Sequence, residues 1–180
     1  MALTARIGRV RGISRWCISV GFEAGSSDGR PRAILACARS QWDALGVCDT
    51  GDVLLIEAKA YIAEFRSPPS AAKAEASIAL IRASLGQTID AFGATARSDW
   101  SSTFYQYANR LAHLYFLRRA KVPAWLVLVN FIGDHDMKGP ETAGEWETAY
   151  AIANHALGLD EQSPLMRHVL HVYLDVSRLI

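Results

Sequence analysis

Asp43, Glu57 and Lys59 are the residues whose types and spacing most suggest chemistry. Glu57 and Lys59 lie in Asp52-Val-Leu-Leu-Ile-Glu-Ala-Lys-Ala-Tyr61, a run that is apolar on both faces of a period-two strand until those two charges. Being two residues apart, they share one face. Burying a carboxylate and an ammonium costs several kcal/mol per ion unless partners offset it, and apolar residues would serve stability as well. A sequence that accepts this cost usually has a use for the charges.

Turn chemistry supplies the partner. Asp49-Thr50-Gly51 suits a three-residue hairpin loop with glycine in the left-handed position, which pairs Cys48 with Asp52. Counting back along both strands sets Asp43 opposite Glu57 on the same face, with Cβ atoms roughly 5 Å apart. Two facing carboxylates repel unless one is protonated or a cation lies between them. A hard divalent cation with oxygen ligands, Mg²⁺ or Mn²⁺, answers that repulsion economically. Lys59 is then placed to bind a phosphate oxygen or to help deprotonate an attacking water. The competing expectation is a buried Glu57–Lys59 or Asp43–Lys59 ion pair with no metal, and a one-residue slip of register would separate the carboxylates.

The elements that must position these residues follow from local pattern. Residues 14 to 22 and 33 to 38, separated by Gly25-Ser-Ser-Asp-Gly-Arg-Pro31, suggest one hairpin, and 43 to 48 with 52 to 61 suggest the next. Ser67 as N-cap and Pro68 at the first helical position predict a helix to about residue 85. A second helix is predicted over Thr103 to Arg119, with Phe104, Ala108, Leu111 and Tyr115 as its apolar stripe. Ala124 to Ile132 is apolar on both faces, as expected of a strand covered by helices on each side and paired in parallel. Glu141 to Leu157, ended by Gly158, reads as a helix and Val169 to Val176 as a last strand. The order is ββββααβαβ: one α/β domain over residues 1–180, with a mixed central β-sheet flanked by α-helices.

Composition bounds the classes. Half of the 180 residues are hydrophobic, enough for a core without staples. Cys17, Cys37 and Cys48 form an odd set without CxxC spacing, which indicates neither a disulfide framework nor a zinc site. The N-terminus lacks a signal-peptide pattern and no apolar run reaches spanning length, so the expectation is a cytoplasmic protein with no membrane partner. The net charge of +1 hides a basic first forty residues, with seven Arg against Glu23 and Asp28, and an acidic C-terminal third. A basic end can face phosphates, although a solvated arginine-rich surface explains it equally well. There is no glycine-rich phosphate loop and no nucleophile elbow.

Trp42-Asp43-Ala-Leu-Gly-Val followed by Asp52-Val-Leu-Leu-Ile-Glu57-Ala-Lys59-Ala resembles the Asp and Glu-x-Lys of the PD-(D/E)xK superfamily, which includes restriction endonucleases and junction resolvases. The likeness covers about residues 33 to 132 and departs from the pattern in having Trp42 in place of the name-giving Pro. It implies a restriction endonuclease-like core and a metal at Asp43 and Glu57, helped by the carbonyl of Ala58, with Lys59 catalytic. Some relatives carry a Gln on a helix beside the site. Gln106 resembles it, and Arg110, on the same face as Gln106, Asn109 and His113, is a candidate phosphate clamp. An ordinary solvated helix face is the alternative for those four. Glu23 and Glu64 could add a carboxylate for a second metal but have no register argument behind them and read rather as surface or turn residues, and Gly133-Asp134-His135-Asp136 reads as a surface turn rather than a metal cage.

The expected function is metal-dependent hydrolysis of phosphodiester bonds in nucleic acid, with DNA the expected polymer. The alternative is a catalytically silent relative that binds nucleic acid or protein. No separate DNA-reading module is visible, so sequence-specific cutting calls for loops, a homodimer or a partner protein.

Overall fold

A computed structural model describes residues 42–178. The predicted hairpin of residues 14 to 38, Glu23, Cys17 and Cys37 lie outside the described residues. Within them the order is β1 (Ala44–Val47), β2 (Val53–Lys59), α1 (Ile62–Phe65), α2 (Glu75–Phe92), α3 (Tyr105–Arg119), β3 (Ala124–Ile132), α4 (Ala143–Leu157) and β4 (Val169–Asp175). The strands form one mixed sheet in the order β1-β2-β3-β4, with β1 antiparallel to β2 and the other two pairings parallel.

The β1–β2 hairpin closes as its turn sequence requires. Gly51 adopts φ 83°, its N–H donates to the Cys48 carbonyl at 2.8 Å, and Cys48 N–H donates to the Asp52 carbonyl at 3.0 Å. That φ is left-handed and suits glycine. The pairing Ala44↔Ile56 through Val47↔Val53 is the expected register, and one more step sets Asp43 opposite Glu57.

From β2 onward each parallel pairing needs a crossover, supplied by α2 and α3 before β3 and by α4 before β4. Alternation then sorts β2 and β3 into two faces. Leu55, Glu57, Lys59, Leu126, Leu128 and Asn130 are buried, whereas Leu54, Ile56, Trp125 and Val129 are half-buried. Helices α3 and α4 pack on the first of these faces: Arg110 bonds Glu57, and Tyr150 bonds Asn130. The helix cover predicted for both sides of β3 is seen among the described residues on this side. Leu111, Leu114, Leu117, Trp146 and Leu157 fill the space between the helices and the sheet. No helix among the described residues is long and apolar enough to cross a membrane.

One predicted helix start is wrong. Residues 66–74 are not helical, and α2 begins at Glu75 after Ala74. Pro69 explains the failure, because its ring clashes with helical backbone at the residue before it, which is Pro68. Ser67 does cap a helix, but a different one: its buried Oγ accepts the Gln106 N–H at 2.8 Å, in the first turn of α3. Smaller shifts occur elsewhere. Helix α3 starts at Tyr105 rather than Thr103, and α4 starts after Thr142, whose side chain and Glu145 form a capping box.

Candidate active site

Glu57 is the centre of the site. It stands near the C-terminal end of β2, 4 % exposed, and both its oxygens are engaged. Oε1 accepts from Lys59 Nζ and from Gln106 Nε2, each at 2.8 Å. Oε2 accepts from Arg110 Nε at 2.8 Å. Lys59 reaches Glu57 because the two share a face one pleat apart, and Gln106 and Arg110 reach it together because they are four residues apart on α3.

Asp43, just before β1, is exposed, and its Oδ2 accepts the Ala58 N–H at 2.8 Å. It takes over from β1 the hydrogen bonding of β2 where the ladder ends. The N–H and C=O of a strand residue leave on the same side, so the Ala58 carbonyl faces the edge on which Asp43 lies. Asp43, Glu57 and the Ala58 carbonyl are thus drawn from one end of one hairpin, and all three are hard oxygen donors of the kind Mg²⁺ and Mn²⁺ accept. Among the described residues no group of three or more His, Cys, Asp or Glu side chains forms a metal cage. Mg²⁺ commonly takes one or two carboxylates and completes its shell with water and substrate phosphate, so two carboxylates and a carbonyl fit it in kind.

The face of α3 that bears Gln106, Asn109, Arg110 and His113 is not an ordinary solvated one. Arg110 is 5 % exposed and the other three are half-buried. The Arg110 guanidinium carbon lies 4.3 Å from the centre of the Trp42 ring, within cation–π range, and Trp42 meets His113 edge-on at 5.5 Å. Burial pushes the His113 imidazole below its ordinary pKa; its hydrogen bond with the Asn109 carbonyl opposes that shift and neighbouring Arg110 adds to it.

Below the charges the site becomes aromatic. A cavity of about 10 Å³, near the least that admits one water, is lined by Glu57, Lys59, Gln106 and Arg110 together with Tyr107 and Tyr150. Tyr150 donates to Asn130 Oδ1 at 2.9 Å and Tyr107 to Asn154 Oδ1 at 3.1 Å. Burial raises both phenols well above their ordinary range, so they stay protonated as donors.

Comparison with protein-family models, with curated proteins and with solved structures finds no match for this chain.

Of the residues singled out from sequence, Glu57, Lys59, Gln106 and Arg110 meet through direct hydrogen bonds, and Asp43 joins them through the Ala58 peptide. The Asp134-His135-Asp136 stretch forms a turn in which Asp134 accepts the Met137 N–H at 3.1 Å, as expected. Glu64, expected at the surface, corrects that reading in part. In α1 its Oε1 lies 3.7 Å from Lys59 Nζ and its Oε2 accepts the Ala60 N–H at 3.3 Å. Sequence gave no role to Trp42 beyond its replacement of Pro, and none to Tyr150 or Asn130. Trp42 adjoins Asp43, which hints at proximity, but only packing brings it against α3. Nothing local in the sequence links Tyr150 to the site.

Proposed function

We propose that this chain is a metal-dependent nuclease that hydrolyses phosphodiester bonds of nucleic acid, DNA being the expected substrate. The observation that carries the reading is Glu57: a carboxylate buried among Lys59, Gln106 and Arg110, in register with Asp43 at a hairpin end. Stability does not require such a cluster, since apolar replacement of buried ionic networks is often neutral or stabilising.

In this reading Asp43, Glu57 and the Ala58 carbonyl would hold Mg²⁺ or Mn²⁺, which would supply Lewis acidity that makes water a better nucleophile and polarises the phosphoryl group. Lys59 Nζ, anchored between Glu57 and Glu64, stabilises the charge that develops as the water oxygen adds to phosphorus. The bond from phosphorus to one ester oxygen breaks; the attacking water gives up its proton to solvent, and the leaving oxygen takes one from solvent. Gln106 orients Glu57, and Arg110 offers its guanidinium to a non-bridging phosphate oxygen. No step calls on the Tyr107 or Tyr150 phenols, whose bonds to Asn154 and Asn130 brace the floor. Selection of a particular sequence falls to loops, a second copy of the chain or a partner protein.

A second reading has an observation of its own. Both Glu57 oxygens already carry N–H donors, as in a network kept for structure, and the chain would then be a binding module without turnover.

Cleavage of single- and double-stranded DNA and RNA with Mg²⁺ or Mn²⁺ separates the two. Asp43→Asn is the informative variant, because Asn keeps an acceptor for the Ala58 N–H at an exposed position and removes only the charge. We expect metal-dependent cleavage that falls at least about 100-fold in Asp43→Asn, the scale of losing one positioned catalytic group. Cleavage unaffected by this substitution defeats the nuclease site, and salt-sensitive binding without cleavage supports the module.

A further inference from the structure

Glu57 divides its partners unevenly. Oε1 is shared by Lys59 and Gln106, whereas among the described contacts Oε2 is held by Arg110 Nε at 2.8 Å. The same guanidinium stacks 4.3 Å over Trp42, the residue before Asp43. The guanidinium is therefore held twice, by a hydrogen bond to Glu57 and by stacking on Trp42.

This inference rests on the metal-dependent reading. We infer that Arg110 is a built-in competitor for the divalent cation, held over the Oε2 side of Glu57 by Trp42, and that it sets the metal affinity of the site. Among the described contacts, three of the four lone-pair sites of Glu57 carry donors, and the one left is on Oε2, so a metal entering there has to share that oxygen with the Arg110 guanidinium. Two cations at one buried carboxylate also raise each other's energy, and far more so than they would in water. Lysine can lower that cost by losing its proton when buried, but arginine keeps its charge throughout. Arg110 can yield only by moving. Its planar fork suits a phosphate, so the group displaced from Glu57 is the one available to a substrate oxygen. Arg110 is thus a positioning residue for the metal, acting through Glu57.

The test is Mn²⁺ binding to the full chain by titration calorimetry, with wild type, Glu57→Gln, Arg110→Gln and Arg110→Lys. We expect a site that Glu57→Gln abolishes, an affinity at least about tenfold tighter in Arg110→Gln, and a return to weak binding in Arg110→Lys, which keeps the charge. A purely structural arginine would not give tighter binding on removal. If the site depends on Glu57 but Arg110→Gln binds Mn²⁺ no more tightly than wild type, the competitor role is wrong and the metal site stands. If no variant shows Glu57-dependent binding, the metal-dependent reading and this inference fall together. Should Arg110→Gln not fold, Trp42→Leu decides: it leaves Glu57 all three donors while loosening the guanidinium. Severalfold tighter Mn²⁺ binding then supports the role, and unchanged affinity overturns it.

Discussion

Ser67 Oγ accepts the backbone N–H of Gln106 at 2.8 Å, so the first turn of α3 is capped from a segment 39 residues upstream. The bond ties the chain leaving β2 and α1 to the helix whose Gln106 and Arg110 hold Glu57. It fixes the height of α3 over the site as well as its terminus.

Ser67→Ala leaves a first-turn N–H without that acceptor. A loss of about 1 kcal/mol is expected, with a Tm fall of roughly 2–4 °C for a chain of this size. Ser67→Thr keeps the hydroxyl and is expected to keep most of the stability. Thermal melts of both variants check this, and an unchanged Tm in Ser67→Ala would remove the tether from the account.

Glu57→Ala is expected to cost about 3–5 kcal/mol in urea denaturation, because it takes from two buried cations, Lys59 and Arg110, the carboxylate they share. Replacing the triad together, by Glu57→Leu, Lys59→Met and Arg110→Leu, is expected to restore most of that loss. Recovery would mean that the ionic cluster is not what stabilises the fold. If the triple variant is as unstable as Glu57→Ala, the cluster is structural.

Gly158 and Gly51 make a matched pair. Both have left-handed φ, 69° and 83°. A Cβ on Gly158 would overlap the Thr95 carbonyl, however, whereas one on Gly51 meets nothing within 4 Å. Gly51→Ala should cost about 1–2 kcal/mol, the backbone penalty alone. Gly158→Ala should cost several kcal/mol more, since the Thr95 N–H also donates to the Gly158 carbonyl at 3.0 Å and the two segments cannot separate freely. Equal losses in denaturant titrations would show that the close approach is not rigid.

His171 predicts a pH dependence. Burial pushes its imidazole down to about 4, its Nδ1 has no hydrogen-bond partner among the described residues, and its ring meets Tyr150 edge-on at 4.3 Å. The unfolded chain takes up a proton near pH 6.5 that the folded chain refuses until about pH 4, so stability falls as pH drops across that window. The loss from this group reaches up to roughly 3 kcal/mol. His113, also lowered by burial, contributes with the same sign. Urea midpoints at neutral and mildly acidic pH should converge in His171→Phe relative to wild type. An identical pH slope in the variant would assign the effect elsewhere.

The sequence by itself determined what depends on neighbours along the chain. The Asp49-Thr50-Gly51 turn sets the register of β1 and β2, and with it the placing of Asp43 opposite Glu57, because loop length and glycine placement dictate strand pairing. The unbroken apolar run of β3 announced a buried strand, whose bounds, Ala124–Ile132, are those observed. The 3.6-residue period put Gln106 and Arg110 on one face of α3. Tertiary structure decided what that face meets. A period gives relative angles around a helix axis but not the rotation of that axis against the sheet, so a solvated face and one buried on Glu57 look alike in sequence. For the same reason Ser67 read as the cap of the next helix, since a hydroxyl that accepts an N–H carries no mark of which helix will present one. The stack of Trp42 on Arg110, the approach of Glu64 to Lys59 and the Tyr150–Asn130 floor join segments through packing alone. Those contacts clamp the buried Glu57 and Lys59 beside the exposed Asp43.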